Sequence, residues 1–195
     1  MQNRWISFRA CRRRRRCGVV LLLLCGLLLW LPQASTEGLS PEYRLKAALV
    51  YKLTRFVDWP QLPRDHFGIC VLGRGELGHL LNAVEGREVA NRRIEVLHLN
   101  RSDDIGAQCQ VVFIDDSKRA FLRPIIQGLG HRPLLTVGDS PGFAEKGGMI
   151  QFIMKGKRIG LKINQRQVES AGLRIAAPLL GLATIVDNGQ KDRMR

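Results

Sequence analysis

Short apolar runs that alternate with helical patterns most limit what this chain can fold into. Residues 67–72, 111–114 and 134–137 are strand-like, and each of the first two is followed by turn residues and then by a segment of helical spacing. Between residues 73 and 84 Leu77, Leu80, Leu81 and Val84 point inward, and between 117 and 130 Leu122, Ile125, Ile126 and Leu129 do so. Strands that alternate with helices in this way predict an α/β fold, a mixed, mostly parallel sheet flanked by helices. One antiparallel hairpin is expected at 149–163, turning over Gly156-Lys157, with Ile159, Leu161 and Ile163 alternating as a one-sided strand.

The first helix is written clearly. Ser40 is an N-cap, Pro41 suits the first helical position, and Glu42 sits at the positive end of the dipole. Leu45, Ala48, Leu49, Leu53 and Phe56 recur at helical spacing and predict the buried stripe, leaving Arg44, Lys46, Lys52 and Arg55 outside. Trp59-Pro60 ends it, because the residue before proline is pushed out of the helical region. Residues 87–99 read as an extended pair broken near Asn91-Arg92. Asp115-Asp116-Ser117 cap a later helix that Pro124 should kink or split. After Asn164 come a helix to about Ala171, a break at Gly172 and an apolar closing segment over 173–186.

The amino terminus says where the domain works. Residues 1–31 hold seven arginines and no acid, and residues 18–31 are an apolar run of 14. That run is short of the roughly 20 residues a permanent membrane helix needs. A secretory signal over 1–35, a single exported domain over 40–186 and a polar tail over 187–195 follow, with a periplasmic location. The cut site is poor, since Pro32 or Gln33 would stand three positions back, so an uncleaved anchor is the alternative. The chain carries +14, but its first 35 residues hold seven of the 31 basic residues and none of the 17 acids. The remainder is +7, which removes the case for a nucleic-acid partner. Three of the five cysteines belong to the leader. Cys70 and Cys109 remain, either as a bridge in an oxidising compartment or as buried free thiols.

Three motifs suggest enzymes, and each fails on its chemistry. Gly73-Arg74-Gly75-Glu76-Leu77-Gly78 matches the dinucleotide fingerprint between a strand and a helix, but the next strand ends His98-Leu99-Asn100, with no ribose-binding acid. Gly138-Asp139-Ser140-Pro141-Gly142 matches a nucleophile elbow, yet Pro141 has no N–H for an oxyanion and no histidine follows Ser140. Asp115-Asp116 suggests a phospho-acceptor pocket, but an exported chain meets no cytoplasmic kinase, and helix capping explains the pair. His66, His79, His98 and His131 are scattered, none paired at ligand spacing. No catalytic, cofactor or metal set emerges, so the chain reads as a binding or regulatory module rather than an enzyme.

Four segments taken in order resemble the YfiR family. The first runs from Lys46-Ala47-Ala48 to Trp59-Pro60; the second is Ile69-Cys70-Val71-Leu72-Gly73 with Gly78. The third runs from Leu135 through Gly138-Asp139-Ser140-Pro141-Gly142-Phe143 to Gly147-Gly148-Met149-Ile150. The fourth is Ile163-Asn164 with Ala171-Gly172-Leu173-Arg174-Ile175. Leu49 and Leu53 stand where the family often has aromatics, and a further cysteine pair that some relatives carry is missing. The resemblance implies a periplasmic α/β repressor of an inner-membrane diguanylate cyclase, or a partner of a sensor kinase, acting on the periplasmic sensor domain. It implies sequestration by an outer-membrane, peptidoglycan-associated lipoprotein, and homodimers. It also implies a Cys70–Cys109 disulfide, since both cysteines fall where the family commonly has them. Phe56, Trp59 and Phe143 are the candidate partner surface, with core packing as the alternative for each. The competing class is a periplasmic sensor that binds a small ligand in an apolar pocket.

Overall fold

A computed structural model describes residues 41–63 and 65–186; the expected signal, the Ser40 cap and the polar tail lie outside them. Helix α1 (Pro41–Leu53) leads through a 3₁₀ turn into the short strand β1 (Val57–Asp58). Then follow β2 (His66–Leu72), α2 (Glu76–Leu81), β3 (Glu88–Val89), β4 (Arg92–Leu99) and β5 (Val111–Ile114). Helix α3 (Leu122–Leu129) precedes β6 (Leu135–Gly138), β7 (Ile150–Lys155) and β8 (Arg158–Ile163). The chain closes with α4 (Gln165–Ser170), β9 (Arg174–Ile175), α5 (Ala177–Leu182) and β10 (Thr184–Ile185).

Eight strands form one sheet in the order β10-β8-β7-β6-β5-β2-β4-β3, and β1 and β9 form a separate antiparallel pair. The run β4-β2-β5-β6-β7 is parallel throughout, as the α/β reading requires. The expected hairpin is β7–β8, antiparallel from Ile150↔Ile163 to Lys155↔Arg158. In chain order the parallel strands stand 2-1-3-4-5, which puts the topological switch point between β2 and β5.

The central strands are buried on both faces, and their alternate residues feed two cores. Ile69, Val71, Val111, Phe113, Leu135 and Val137 face one core, with α1 and α2 packed on it. Cys70, Leu72, Val112 and Ile114 face the other, under α3 and Phe143. The Cys70–Cys109 disulfide lies in this second core, its Cα atoms 5.6 Å apart.

One local expectation needs correction. The buried residues of α1 are Lys46, Ala47, Val50 and Leu53, so only Leu53 of the expected stripe is fully buried. Leu45 is 52% exposed and Phe56 39%, Ala48 is exposed, and Leu49 is half-buried. The helix is turned so that Lys46, not a leucine, faces inward to an acid on a distant loop. Hydrophobic spacing carries no information about that acid. The histidines lie far apart in sequence, but the rings of His79 and His98 stack 5.9 Å apart across α2 and β4. Both are exposed, and His98 Nε2 lies 2.8 Å from Asn82 Oδ1.

Pro124 splits its helical segment, as its ring demands. Residues Asp116–Phe121 form a 3₁₀ helix, and α3 begins at Leu122, so Pro124 falls in a first turn whose N–H groups lack intrahelical acceptors. The Asp115 carboxylate caps the 3₁₀ segment by accepting from the Ser117 N–H at 2.9 Å.

The break near Asn91 is a two-residue turn joining β3 to β4, with φ of 49° at Ala90 and 60° at Asn91. Asparagine tolerates this left-handed region and alanine does not. Ala90→Gly should stabilise the protein by about 0.5–1 kcal/mol. A urea midpoint that moves upward at constant slope is the expected result; a downward shift would refute the strain argument.

Candidate functional site: the Trp59 groove

Two of the distant sequence segments meet at the surface. β1 pairs with β9 in the register Val57↔Ile175 and Asp58↔Arg174. The Ala176 N–H donates to the Phe56 carbonyl at 2.9 Å, extending this junction by one residue. Trp59-Pro60 is thereby set beside Gly172-Leu173-Arg174. The indole is fixed on two sides: Nε1–H donates to the Thr54 carbonyl at 3.1 Å, and the ring meets Phe67 edge-on at 5.1 Å. What remains exposed of it lines an open groove of about 340 Å³ with Asp58, Pro60, Glu169, Leu173 and Arg174.

The groove carries an aromatic wall and charges of both signs. Arg174 Nε lies 3.8 Å from Asp58 Oδ2, and both side chains are more than 70% exposed. A pair so placed adds little to stability and stays free to exchange partners. Phe56, next to β1 in the chain, adds an exposed phenyl ring. Such a mixture suits a contact surface.

Two other residues of the resembling segments, Lys46 and Phe143, are interior. The Lys46 ammonium donates to Asp139 at 2.8 Å and to Glu42 at 2.7 Å, and lies 5.0 Å from the Tyr43 ring centre. Burial alone would lower its pKa, but the hydrogen bonds to Asp139 and Glu42 outweigh that, and the pKa is raised from its ordinary 10.5. A raised folded-state pKa gives stability that is fully present below the unfolded value and is lost as pH rises through the folded one. The wild-type protein should therefore lose stability on the alkaline side, and Lys46→Met should lack that part of the loss. Thermal melts of both proteins between about pH 9 and 12 check this; parallel curves would show that Lys46 is not the titrating group.

Phe143 does not belong to any surface. It is fully buried in the core under α3, and its ring lies between two glycines. A Cβ added at Gly138 would sit 2.5 Å from the ring, and one at Gly148 2.0 Å from it. The Gly-Phe…Gly-Gly turn exists so that the backbone can close around a phenyl group. Of the three expected contact residues, Trp59 lines the groove, Phe56 is exposed just before β1, and Phe143 is a packing residue.

The enzyme-like motifs have structural occupants. The Asp115 carboxylate presses into the glycine-rich turn, so that a Cβ at Gly75 would come within 1.7 Å of Asp115 Oδ2. A fixed negative charge thus stands at the switch point, where a dinucleotide fold would receive a pyrophosphate. Ser140 is 1% exposed and its neighbour Asp139 is held by Lys46, so the elbow-like turn presents no nucleophile. No group of three or more His, Cys, Asp or Glu among the described residues could hold a metal ion.

Reasoning from spacing missed Glu169 and Arg174, and it missed the Lys46–Asp139 pair. A signal for both was present. The four recognisable segments contain each of these residues except Glu169, and the structure joins the first segment to the fourth at the groove and to the third at Lys46.

Comparison with known proteins agrees with this architecture. The model of the YfiR/HmsC-like family matches residues 43–184. No curated protein matches the chain. Among solved structures, a conserved domain protein from Vibrio cholerae is similar with a TM-score of 0.54 at 14% identity, over 76% of this chain and 60% of that one. An ABC domain from Streptococcus pneumoniae, solved in complex with L-Trp, is similar with a TM-score of 0.50 at 10% identity, over 74% of this chain and 60% of that one. The chain thus spans less than two thirds of either structure, and at these identities the likeness is one of fold.

Proposed function

Because this chain belongs to the YfiR/HmsC-like family, we propose that it is a periplasmic regulator that represses an inner-membrane diguanylate cyclase, or a sensor kinase, by touching its periplasmic sensor domain. Membership supports the general reading, a periplasmic regulator of cyclic-di-GMP signalling. The finer reading rests on one observation: the segments that carry the family resemblance build an open groove with an aromatic wall. The client docks at Phe56, Trp59 and Arg174. An outer-membrane, peptidoglycan-associated lipoprotein withdraws the regulator by competing for it, and the working unit is a homodimer.

No helix among the described residues is long and apolar enough to cross a membrane. A sensor for a small ligand is the weaker reading, because the groove is open rather than enclosed, and free ligands favour concave pockets that bury most of their surface.

The test is genetic and biochemical together. Deletion of the gene should raise cellular cyclic-di-GMP, and complementation with the Phe56→Ser, Arg174→Glu double variant should fail to restore repression while the protein keeps its wild-type melting temperature. Unchanged cyclic-di-GMP on deletion would overturn the cyclase version. Full repression by the double variant would move the contact surface elsewhere.

A further inference from the structure

The β7–β8 hairpin outruns its neighbours in the sheet. β6 pairs with β7 only at Val137↔Ile150 and Gly138↔Gln151, and β10 pairs with β8 only at Thr184↔Lys162 and Ile185↔Ile163. Four further pairs, from Phe152↔Leu161 to Lys155↔Arg158, continue as a two-stranded ribbon with no strand partner on either outer edge. At about 3.4 Å per residue the ribbon projects on the order of 13 Å beyond the paired sheet. Phe152 and Leu161 root it in the core. From Met154 to Arg158 every residue is exposed.

The tip has a distinct chemistry. Lys155, Lys157 and Arg158 lie within four residues, and the hairpin from 150 to 163 contains no acid. None of the three forms an ion pair among the described residues. The stem of Lys155 lies over Gly160, and its ammonium donates to the Thr184 hydroxyl at 3.2 Å, which brings the α5–β10 junction to the ribbon's flank. That flank and the tip carry Met154, 45% exposed, and Leu182, 80% exposed. The tip therefore offers three cations and two aliphatic side chains, with no aromatic ring.

That composition discriminates between occupants. The buried centres of protein–protein interfaces are enriched in aromatics and depleted in lysine. An anionic bilayer accepts flexible Lys and Arg heads among its phosphates, and their stems together with Met and Leu at the acyl boundary. We infer that the ribbon tip, residues 154–158 with Leu182, docks the domain on an anionic phospholipid surface. This does not rest on the regulatory reading; a protein of any function with this ribbon would be drawn to such a surface. For a regulator of a membrane client, docking would confine the search to two dimensions.

The experiment measures partition of the full chain, and of the protein recovered from the periplasm, into vesicles of phosphatidylcholine alone or with phosphatidylglycerol. The quantity read is the ratio of anionic to neutral partition. It is compared between variants that share the same amino terminus, so that the leader's own anionic preference cancels. The wild-type preference itself is read on the protein recovered from the periplasm. Wild type should prefer the anionic vesicles, and the preference should fall as salt rises. The Lys155→Glu, Lys157→Glu, Arg158→Glu variant should lower the ratio by on the order of a hundredfold. An Arg44→Glu, Lys52→Glu, Arg55→Glu variant makes the same change in net charge at exposed positions of α1 and the 3₁₀ turn that follows it, and should retain most of the preference. Equal losses in the two variants, or no anionic preference in wild type, would overturn the proposal. In the first case general charge is responsible; in the second an acidic protein face becomes the occupant to seek.

Discussion

Phe143→Ala should cost about 3–5 kcal/mol, a large part of the stability of a domain this size. The ring is fully buried, and the walls that hold it are backbone at Gly138 and Gly148, which cannot move in to fill the space. The variant should show a much lower urea midpoint with little change of slope. Gly148→Ala supplies the matching half of a double-mutant cycle. Alone it places a Cβ 2.0 Å from the ring and should destabilise strongly; in the Phe143→Ala background that penalty should largely vanish. Additive effects, or a loss under about 1 kcal/mol for Phe143→Ala, would contradict this packing.

The Cys70→Ala, Cys109→Ala variant should lose about 4 kcal/mol by the loop-closure account, because the bridge closes a loop of sequence separation 39. The loop contains α2, β3, β4 and the segment leading to β5, so the unfolded chain regains much freedom when it is opened. Both half-cystines are buried, Cys70 at 0% and Cys109 at 4% exposure, so the native protein should resist mild reductant. Reduction after unfolding should bring the wild-type midpoint down toward that of the variant. Equal midpoints for the oxidised wild type and the variant would show that the bridge contributes nothing.

Much of the fold could be read from the chain. Runs such as 111–114 are too apolar for anything but a buried strand, and the turn chemistry at Asp115 and Asn164 fixed where the following helices start. Asn164 caps α4 by accepting from the Gln167 N–H at 3.2 Å, a local act that needs no distant partner. The site was legible only in part. Trp59 stood out as a helix terminator, and Phe56 as an apolar residue just before it. Their assembly into a groove requires β9, which follows more than a hundred residues later.

Phe143 and α1 show where spacing misleads. An aromatic in a glycine-rich turn can serve a partner surface or the core, and nothing local says that the backbone will fold around it. The helix stripe was misplaced, except at Leu53, for a comparable reason. Lys46 counts as polar in any periodicity, and its burial depends on Asp139, supplied by a different strand's end, which joins Glu42 in pairing the ammonium.

The sequence by itself determined the alternating α/β order, the strand cores, the caps and the family. These follow from residue chemistry within a few positions, through burial preference, backbone restriction and capping. Only the tertiary structure decided which face of α1 is inside, that Asp115 fills the glycine-rich turn, that Trp59 meets Arg174, and that a basic ribbon stands clear of the sheet. Each of those depends on two segments far apart in the chain arriving at one place, and spacing along the sequence does not encode that distance.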